Sequence, residues 1–360
     1  YVDPNVSPTF ASKYTDSDVT SNSIIVVCGD RSKVIDYNSD IYEYSYDSSY
    51  NYSVTGYDCE GQVTAAIQYV TSESTTNVYE LTGHDESTLS GDFSEVFQKR
   101  FMNVGSLSLL TVDAIPEDCQ AIFITAPQSD LSEDDLSKLS QYLGNGGKIY
   151  LSIDYSKWND LTNFKKLLSD NNIETTESLL AETDRSYYYQ SPFYLLPNVE
   201  NTEVSSSVAG MTQVFVPYSV GLTYTGEDDS NVTSFMTTSD TTIAKAAANI
   251  AAVQSQADAA NIASVQAGDT QGQYSLGMMV TNENGGELCV LGSAMMCTDS
   301  ANQIVSGHNA TLFNGIVNAL VTTDDGNSDN AVVIAAKDYT VSNLTVSANA
   351  MLVYGILWGI

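Results

Sequence analysis

Basic side chains are scarce in this sequence. Thirteen Lys plus Arg stand against 45 Asp plus Glu in 360 residues, a formal charge of −32 at pH 7. A surface of that sign repels phosphate backbones and anionic headgroups, so nucleic acid is excluded as an expected partner. Histidine is scarcer still, with only His84 and His308. The five cysteines (Cys28, Cys59, Cys119, Cys289, Cys297) are odd in number, widely spaced and without a C-x-x-C pair. They fit neither a zinc site nor a disulfide framework, and most lie in or beside apolar or small-residue runs, as buried free thiols do. There is no H-E-x-x-H, no G-x-S-x-G elbow and no dinucleotide fingerprint. Gly144–Lys148 leads into a strand instead of opening a helix with G-K-[ST], so it is not a phosphate loop. No catalytic residue, metal or cofactor is therefore assigned. Tyr1-Val2-Asp3-Pro4 has neither a basic start nor an apolar core, so it does not read as a signal peptide.

What is present points to a folded α/β protein. Hydrophobic residues make up 42% of the chain, too many for wholesale disorder, while charged residues make up only 16%. The uncharged-polar, acidic balance suits a protein working outside the cytoplasm. The most legible stretch is Ala121–Asp154. Ala121–Thr125 is short, apolar and β-branched, as a strand covered on both faces must be. Ser132 and Asp135 make an S-x-x-D capping box, after which Leu136, Leu139, Tyr142 and Leu143 share one helical face. Gly144, Gly146 and Gly147 end that helix, and Ile149–Ile153 is the next strand. A strand, a helix and a strand in about thirty residues is a right-handed βαβ unit.

Along the chain, residues 1–75 read as an N-terminal strand and helix region. It holds strands at Ile24–Cys28 and Lys33–Tyr37, a tyrosine-rich edge strand around Tyr42, Tyr44 and Tyr46, and a helix at Gly61–Val70. Residues 76–180 alternate strand and helix: Asn77–Leu81, Asp92–Phe101, Leu107–Val112, the βαβ unit and Leu161–Leu168. The expected class is α/β, a doubly wound, mostly parallel sheet with a smaller β-rich or mixed region. Residues 181–323 form a mixed second half that could complete the same sheet. Its alanine-rich stretch 243–265 has helix propensity but few large anchors, so a surface helix or mobile insertion is expected. Residues 324–360 comprise a polar linker, a last strand at Ala331–Ala335 and a tail that carries no charge from Tyr339 to Ile360. That tail ends in MLVYGILWGI and reads as the first turns of a membrane anchor.

Open parallel sheets bind ligands beyond the carboxyl ends of their strands. The loops there offer His84, Asp85, Glu86, Asp130, Asp154, Asp299 and Asn302 as ligand-binding candidates. Four of the carboxylates (Asp85, Glu86, Asp154, Asp299) could hold a hard cation only if they converge. At the turn after the central strand stands Ala126-Pro127, where a nucleophile would be needed. The tyrosine-rich 40–57 segment offers either packing surface or a stacking platform for sugars.

VYELTGHDE at Val78–Glu86 and IPEDCQAIFITAPQSDLSEDDLSKLSQYLGNGGKIYLSID at Ile115–Asp154 resemble the strand-turn and central block of the GldG-like auxiliary components of ABC transport systems. YYYQSPFYLLPN and TDSANQIVSGHNATLFNGIVNAL resemble that family's later segments. The resemblance implies a class I glutamine-amidotransferase-like (flavodoxin-like) fold without that chemistry. It also implies a non-enzymatic subunit on the extracytoplasmic face of the cell membrane, anchored through a C-terminal helix. Its partners would be an ABC-2-type permease and a cytoplasmic ATPase. Asp85 departs from the family's glycine, and 243–265 is an addition to it. A hydrolase or amidase on the same fold, or a glycan-binding module, are the alternatives.

Overall fold

Alternating apolar residues on the central strands build one sheet with a core on each face. The computed structural model describes residues 2–3, 6–7, 9–15, 19–38, 40–46, 52–71, 76–89, 91–100, 102–210, 213–246, 249, 262–321, 334 and 337–338. Two compact units are present, Tyr1–Ser72 with Val332–Ile360, and Glu73–Ala331.

In the first unit, β1 (Ile24–Cys28) and β2 (Arg31–Ile35) form an antiparallel hairpin turned at Gly29, whose φ of 58° suits glycine. β3 (Tyr42–Tyr46) pairs antiparallel with β4 (Tyr52–Tyr57), and a short strand at Lys337–Asp338 joins β4 on its other side. Among the described residues β3 lies at the edge of this three-stranded sheet, as the tyrosine alternation implied. Tyr42 is committed to packing, with its ring 5.5 Å from those of both Tyr37 and Tyr57. Helix α1 (Cys59–Thr71) follows.

The second unit holds a twelve-stranded sheet and a separate antiparallel pair, β10 (Tyr194–Leu195) with β12 (Val216–Pro217). β5 (Asn77–Thr82), β6 (Asn103–Ser108), β7 (Cys119–Thr125), β8 (Lys148–Ser152) and β18 (Glu287–Leu291) run parallel in the order β6-β5-β7-β8-β18. Beyond β18 the pairing turns antiparallel through β17 (Ser275–Thr281), β13 (Val220–Tyr224), β9 (Ile173–Ala181), β15 (Ile243–Ala244) and β16 (Thr270–Gln271). β14 (Val232–Thr237) also pairs antiparallel with β17 and carries β11 (Asn198–Val199) at its side. The sheet is therefore mixed, with its parallel order confined to five strands. The expectation of a mostly parallel sheet holds for that half. The long runs after Tyr194 close by short antiparallel returns, which need no crossover helix.

Helices cover both faces, so the parallel half is doubly wound. α2 (Asp92–Lys99) and α7 (His308–Leu320) roof one face, where Phe93, Phe97 and Phe313 meet Phe123 and Tyr150 of the sheet. α3 (Glu133–Gly144) and α5 (Thr162–Ser169) cover the other, over Ile122, Ile124, Ile149, Leu151, Leu288 and Val290. Each large apolar side chain buried this way contributes roughly 1.5–3 kcal/mol relative to exposure. The capping box at Ser132 is formed with both reciprocal hydrogen bonds.

Several expectations are corrected. The strand expected at Leu107–Val112 is β6, beginning at Asn103; Leu109 is buried but Leu110 is 71% exposed, because the chain leaves the ladder after Ser108. The alanine-rich stretch is not all surface. Ile243 and Ala244 form β15 and Lys245 is fully buried, while 247–248 and 250–261 lie outside the described residues. The expected membrane anchor and C-terminal-helix attachment are also withdrawn: no helix among the described residues is long and apolar enough to cross a membrane. The longest described helices have 13 residues, about 20 Å against the roughly 30 Å a hydrocarbon core demands. The stretch 339–360, on which that expectation rested, lies outside the described residues, as do 331–333 and 335 of the expected last strand. The permease and ATPase partnership loses its physical basis with the anchor.

Candidate functional site

The loop after β5 folds back on itself. Gly83 at φ 117° and Asp85 at φ 56° reverse the chain on either side of His84 and send its ring inward, leaving the residue 4% exposed. Nδ1 lies 3.0 Å from Glu86 Oε1, and Nε2 lies 3.3 Å from Asp135 Oδ2. The other Glu86 oxygen accepts the His84 backbone N–H at 2.8 Å. Asp135 is the third residue of α3 and the acidic half of its capping box, accepting from Ser132 Oγ at 2.7 Å. The Phe164 ring of α5 meets the imidazole edge-on at 6.0 Å. The His84 carbonyl accepts the N–H groups of Gln128 and Ser129, both at 3.0 Å, which ties the β5 and β7 loops together.

Two carboxylates on two ring nitrogens favour the doubly protonated ring, because only the imidazolium donates at both ends. Burial opposes charging His84, but hydrogen bonds and attraction from Glu86, then Asp135, prevail and raise its pKa above 6.5. Burial likewise works against the charged forms of Glu86 and Asp135. Hydrogen bonds from His84 to the first, and from Ser132 and His84 to the second, outweigh it and lower both.

The turn after β7 combines a strained backbone with inert side chains. Ala126 holds φ at 49°, an uncommon conformation for a residue with a Cβ. Its N–H is spent on the Ser152 carbonyl at 3.0 Å. A nucleophile elbow presents a reactive side chain at such a strained turn, with an oxyanion-binding N–H on the next residue. Here that next residue is Pro127, which has no N–H.

The remaining predicted residues are mostly helix-terminus partners. Asp85 is exposed and accepts from Ser129 Oγ at 2.9 Å. Asp130 reaches across to the start of α5 and accepts the N–H groups of Asn163 and Phe164 at 2.8 and 3.1 Å. Asp154 caps α4 (Tyr155–Trp158) through Ser156 N–H and accepts from Gln128 Nε2, both at 2.9 Å. Asp299, opening α6 (Asp299–Ile304), accepts the Asp92 N–H of α2 at 3.1 Å. Asn302 donates to Asp92 Oδ2 at 2.5 Å and accepts the Ala310 N–H of α7 at 2.9 Å. Carboxylates at helix N-termini satisfy orphan N–H groups and the positive end of the dipole.

The structure thus brings together His84, Asp85 and Glu86 with the β7 loop, and separately joins Asp299 to Asn302 through Asp92. It does not gather the four acidic cation candidates: among the described residues no group of three or more His, Cys, Asp or Glu is placed to hold a metal ion. Sequence reasoning missed Asp135 as a partner of His84 and Asp92 as the hub of the second group. Asp135 carried a signal, its place in the capping box, but that signal speaks of its own helix and not of a histidine 51 positions away. The buried thiols are inert: burial pushes Cys119 up to about 11 and Cys297 up to about 12. Two surface depressions, of about 830 Å³ beside Asn198, Ile304 and His308 and of about 360 Å³ beside Lys165 and Glu174, contain none of the predicted residues.

Fold and site define a class at this point: an α/β domain with a doubly wound parallel half and a clamped histidine at the carboxyl edge of its sheet. The mmIFT52 N-terminal domain shares the fold, with 16% identity and a TM-score of 0.50 over 69% of this chain and 98% of that domain. An exo-β-1,4-mannosidase from Opitutaceae bacterium strain TAV5 aligns at 12% identity and a TM-score of 0.37, over 72% of this chain and 38% of that one. PurLQS from Thermotoga maritima aligns at 11% and 0.34, over 69% of this chain and 100% of that one. The first of these likenesses concerns architecture alone. No protein-family model matches the chain, and no curated protein matches it.

Proposed function

We propose that this chain is a non-catalytic binding module built on an amidotransferase-like frame, in the manner of the GldG-like auxiliary proteins that its central block resembles. The observation that supports the reading most is the state of His84. A general base needs one ring nitrogen free to take a proton from a nucleophile or water. In this site both nitrogens face carboxylates, at 3.0 and 3.3 Å, and the ring is buried. Ala126 and Pro127 withhold the nucleophile and the oxyanion N–H as well. The residues at the carboxyl edge hold loops and helix ends in register, which is what a rigid recognition surface requires.

A second reading keeps one observation in its favour. Glu86 and His84 have the spacing of an orienting carboxylate and its base, next to a positive-φ turn, so a hydrolase or amidase on this fold is the alternative. A panel of amide and ester substrates decides between them. The binding-module reading expects turnover indistinguishable from buffer for the protein and for its His84→Ala variant. Turnover that disappears in His84→Ala would establish the hydrolase instead.

A further inference from the structure

Beyond the carboxyl ends of β8, β18 and β9, loops from distant parts of the chain bring aromatic side chains together. Tyr155 opens α4 shortly after β8. Tyr218 lies in the turn before β13. There Ser293 Oγ donates to the Pro217 carbonyl, and the Val220 N–H donates to the Gly292 carbonyl at 3.0 Å, just past β18. Phe193 and Tyr194 belong to the QSPFYLLPN passage. The Glu182 N–H holds it at the Pro192 carbonyl, and the Tyr218 N–H at the Phe193 carbonyl, at 2.8 and 2.9 Å. Open α/β sheets take their ligands outside this edge.

Tyr218 is held at φ 51°, a costly conformation for a bulky residue and one that concentrates at ligand sites. Its ring runs nearly parallel to that of Tyr155, with 18° between the planes and 5.6 Å between centroids. Phe193 lies at 26° and 6.1 Å, and Tyr194 meets the Tyr218 ring edge-on at 5.4 Å. At those separations parallel rings are offset, so each covers only part of its neighbour's face. Phe193 is buried, whereas Tyr155, Tyr194 and Tyr218 are half-buried. Tyr194 Oη and Tyr218 Oη lie 3.4 Å apart, one donating to the other. The hydrogen bond with Tyr194, then burial, then the closeness of Tyr194 and Tyr155 raise Tyr218 to about 12, so the phenol keeps its proton. Every side chain among those causes is another tyrosine. The group is uncharged in a chain of formal charge −32.

We propose that Tyr155, Tyr194 and Tyr218 form a stacking site for a neutral oligosaccharide. The proposal rests on the binding-module reading and gives it a ligand class. A pyranose presents an apolar C–H face and a rim of hydroxyls. These tyrosines present the matching surface, aromatic faces beside phenols that both donate and accept. Uncharged contacts select an uncharged ligand, because a charged group would lose water here and meet only tyrosine hydroxyls. Anionic polymers are also repelled by the chain as a whole. Each tyrosine has only two side-chain torsions to fix, which keeps the entropy lost on binding small. Rings used for packing alone would be buried as Phe193 and Phe215 are, and would not require the strained backbone of Tyr218.

Titration calorimetry on the whole chain with cellohexaose, mannohexaose and maltohexaose tests this, with hexalysine and hexagalacturonate as charged controls. At least one neutral hexasaccharide should bind, with a Kd of about 10 μM to 1 mM. Tyr155→Ala removes an aromatic face and should weaken binding about tenfold. Tyr194→Phe keeps every ring and removes one hydroxyl, so it separates a lost contact from lost folding. It should weaken binding about threefold or more with circular dichroism and melting unchanged. No binding of the three sugars up to about 10 mM, unaltered affinity in both variants, or preference for either charged control would overturn the proposal. Absent sugar binding together with absent turnover on amides and esters would remove this proposal alone and leave the binding module standing. Turnover lost in His84→Ala would remove the binding-module reading instead.

Discussion

A buried imidazole held between two carboxylates responds to pH from both sides. His84 has its pKa raised in the folded state, so its stabilising contribution is complete below about pH 6.5 and is lost as pH rises through the folded value. Glu86 and Asp135 have theirs lowered, so their contribution is present above roughly pH 4 and is lost as pH falls through the folded values. Replacing His84 by Gln leaves two buried carboxylates without their cation, a loss of about 3–5 kcal/mol in comparable cases. Urea unfolding of the protein and of His84→Gln across pH should show the widest gap between about pH 4.5 and 6.5, narrowing on both sides. A gap that does not vary with pH would mean that the ring is neutral in its clamp.

Among the elements, helix starts were the most readable from sequence and the most heavily reused in three dimensions. The Ser132–Asp135 capping box, the glycine stop after Leu143 and the β-branched run of β7 are local signals, and each formed as read. The service of Asp130 to α5 and of Asp299 to α2 could not be read, because each joins a loop to a helix far along the chain. The sequence showed acidic residues beyond strand ends, where ligands bind; the structure spends most of them on orphan helix N–H groups. Gly91 before α2 shows how tight one such junction is. Its φ is 54°, and a Cβ added there would fall 2.0 Å from a carboxylate oxygen of Asp299. Gly91→Ala should lower stability by about 1–3 kcal/mol through strain and displacement of Asp299. Ser132→Ala should cost about 1 kcal/mol through the lost cap. Thermal melts read both, and an unaltered Gly91→Ala melt would show that the loop yields freely.

For the whole molecule, the doubly wound half was legible because its strands alternate with helices and lie buried on both faces. The antiparallel half was not, since β9, β13, β14 and β17 are joined by returns whose partners only tertiary packing selects. The acidic balance acts at this scale too. It disfavours close approach of copies, so solution behaviour should depend on ionic strength.

The first residues of the alanine-rich stretch are anchored by a buried ion pair. Lys245 Nζ meets Asp269 Oδ2 at 2.6 Å and donates to the Ser264 carbonyl at 2.9 Å. Asp269 also accepts the N–H groups of Ala246 and Gln266 and the amide of Asn249, while β15 and β16 pair beside it. The described residues 245–246, 249 and 262–271 thus meet at both ends of the excursion. Closure of a loop grows only logarithmically with its length, each doubling costing about 0.6 kcal/mol. The fold therefore carries a port at which chain can be gained or lost cheaply. Replacing 250–261 by a linker of about four Gly and Ser residues should leave the melting temperature within a few degrees of the parent. A large drop would show that the sheet leans on those residues. On this view, length variation between relatives of this protein would concentrate between Asn249 and Ile262 and leave Lys245 and Asp269 in place.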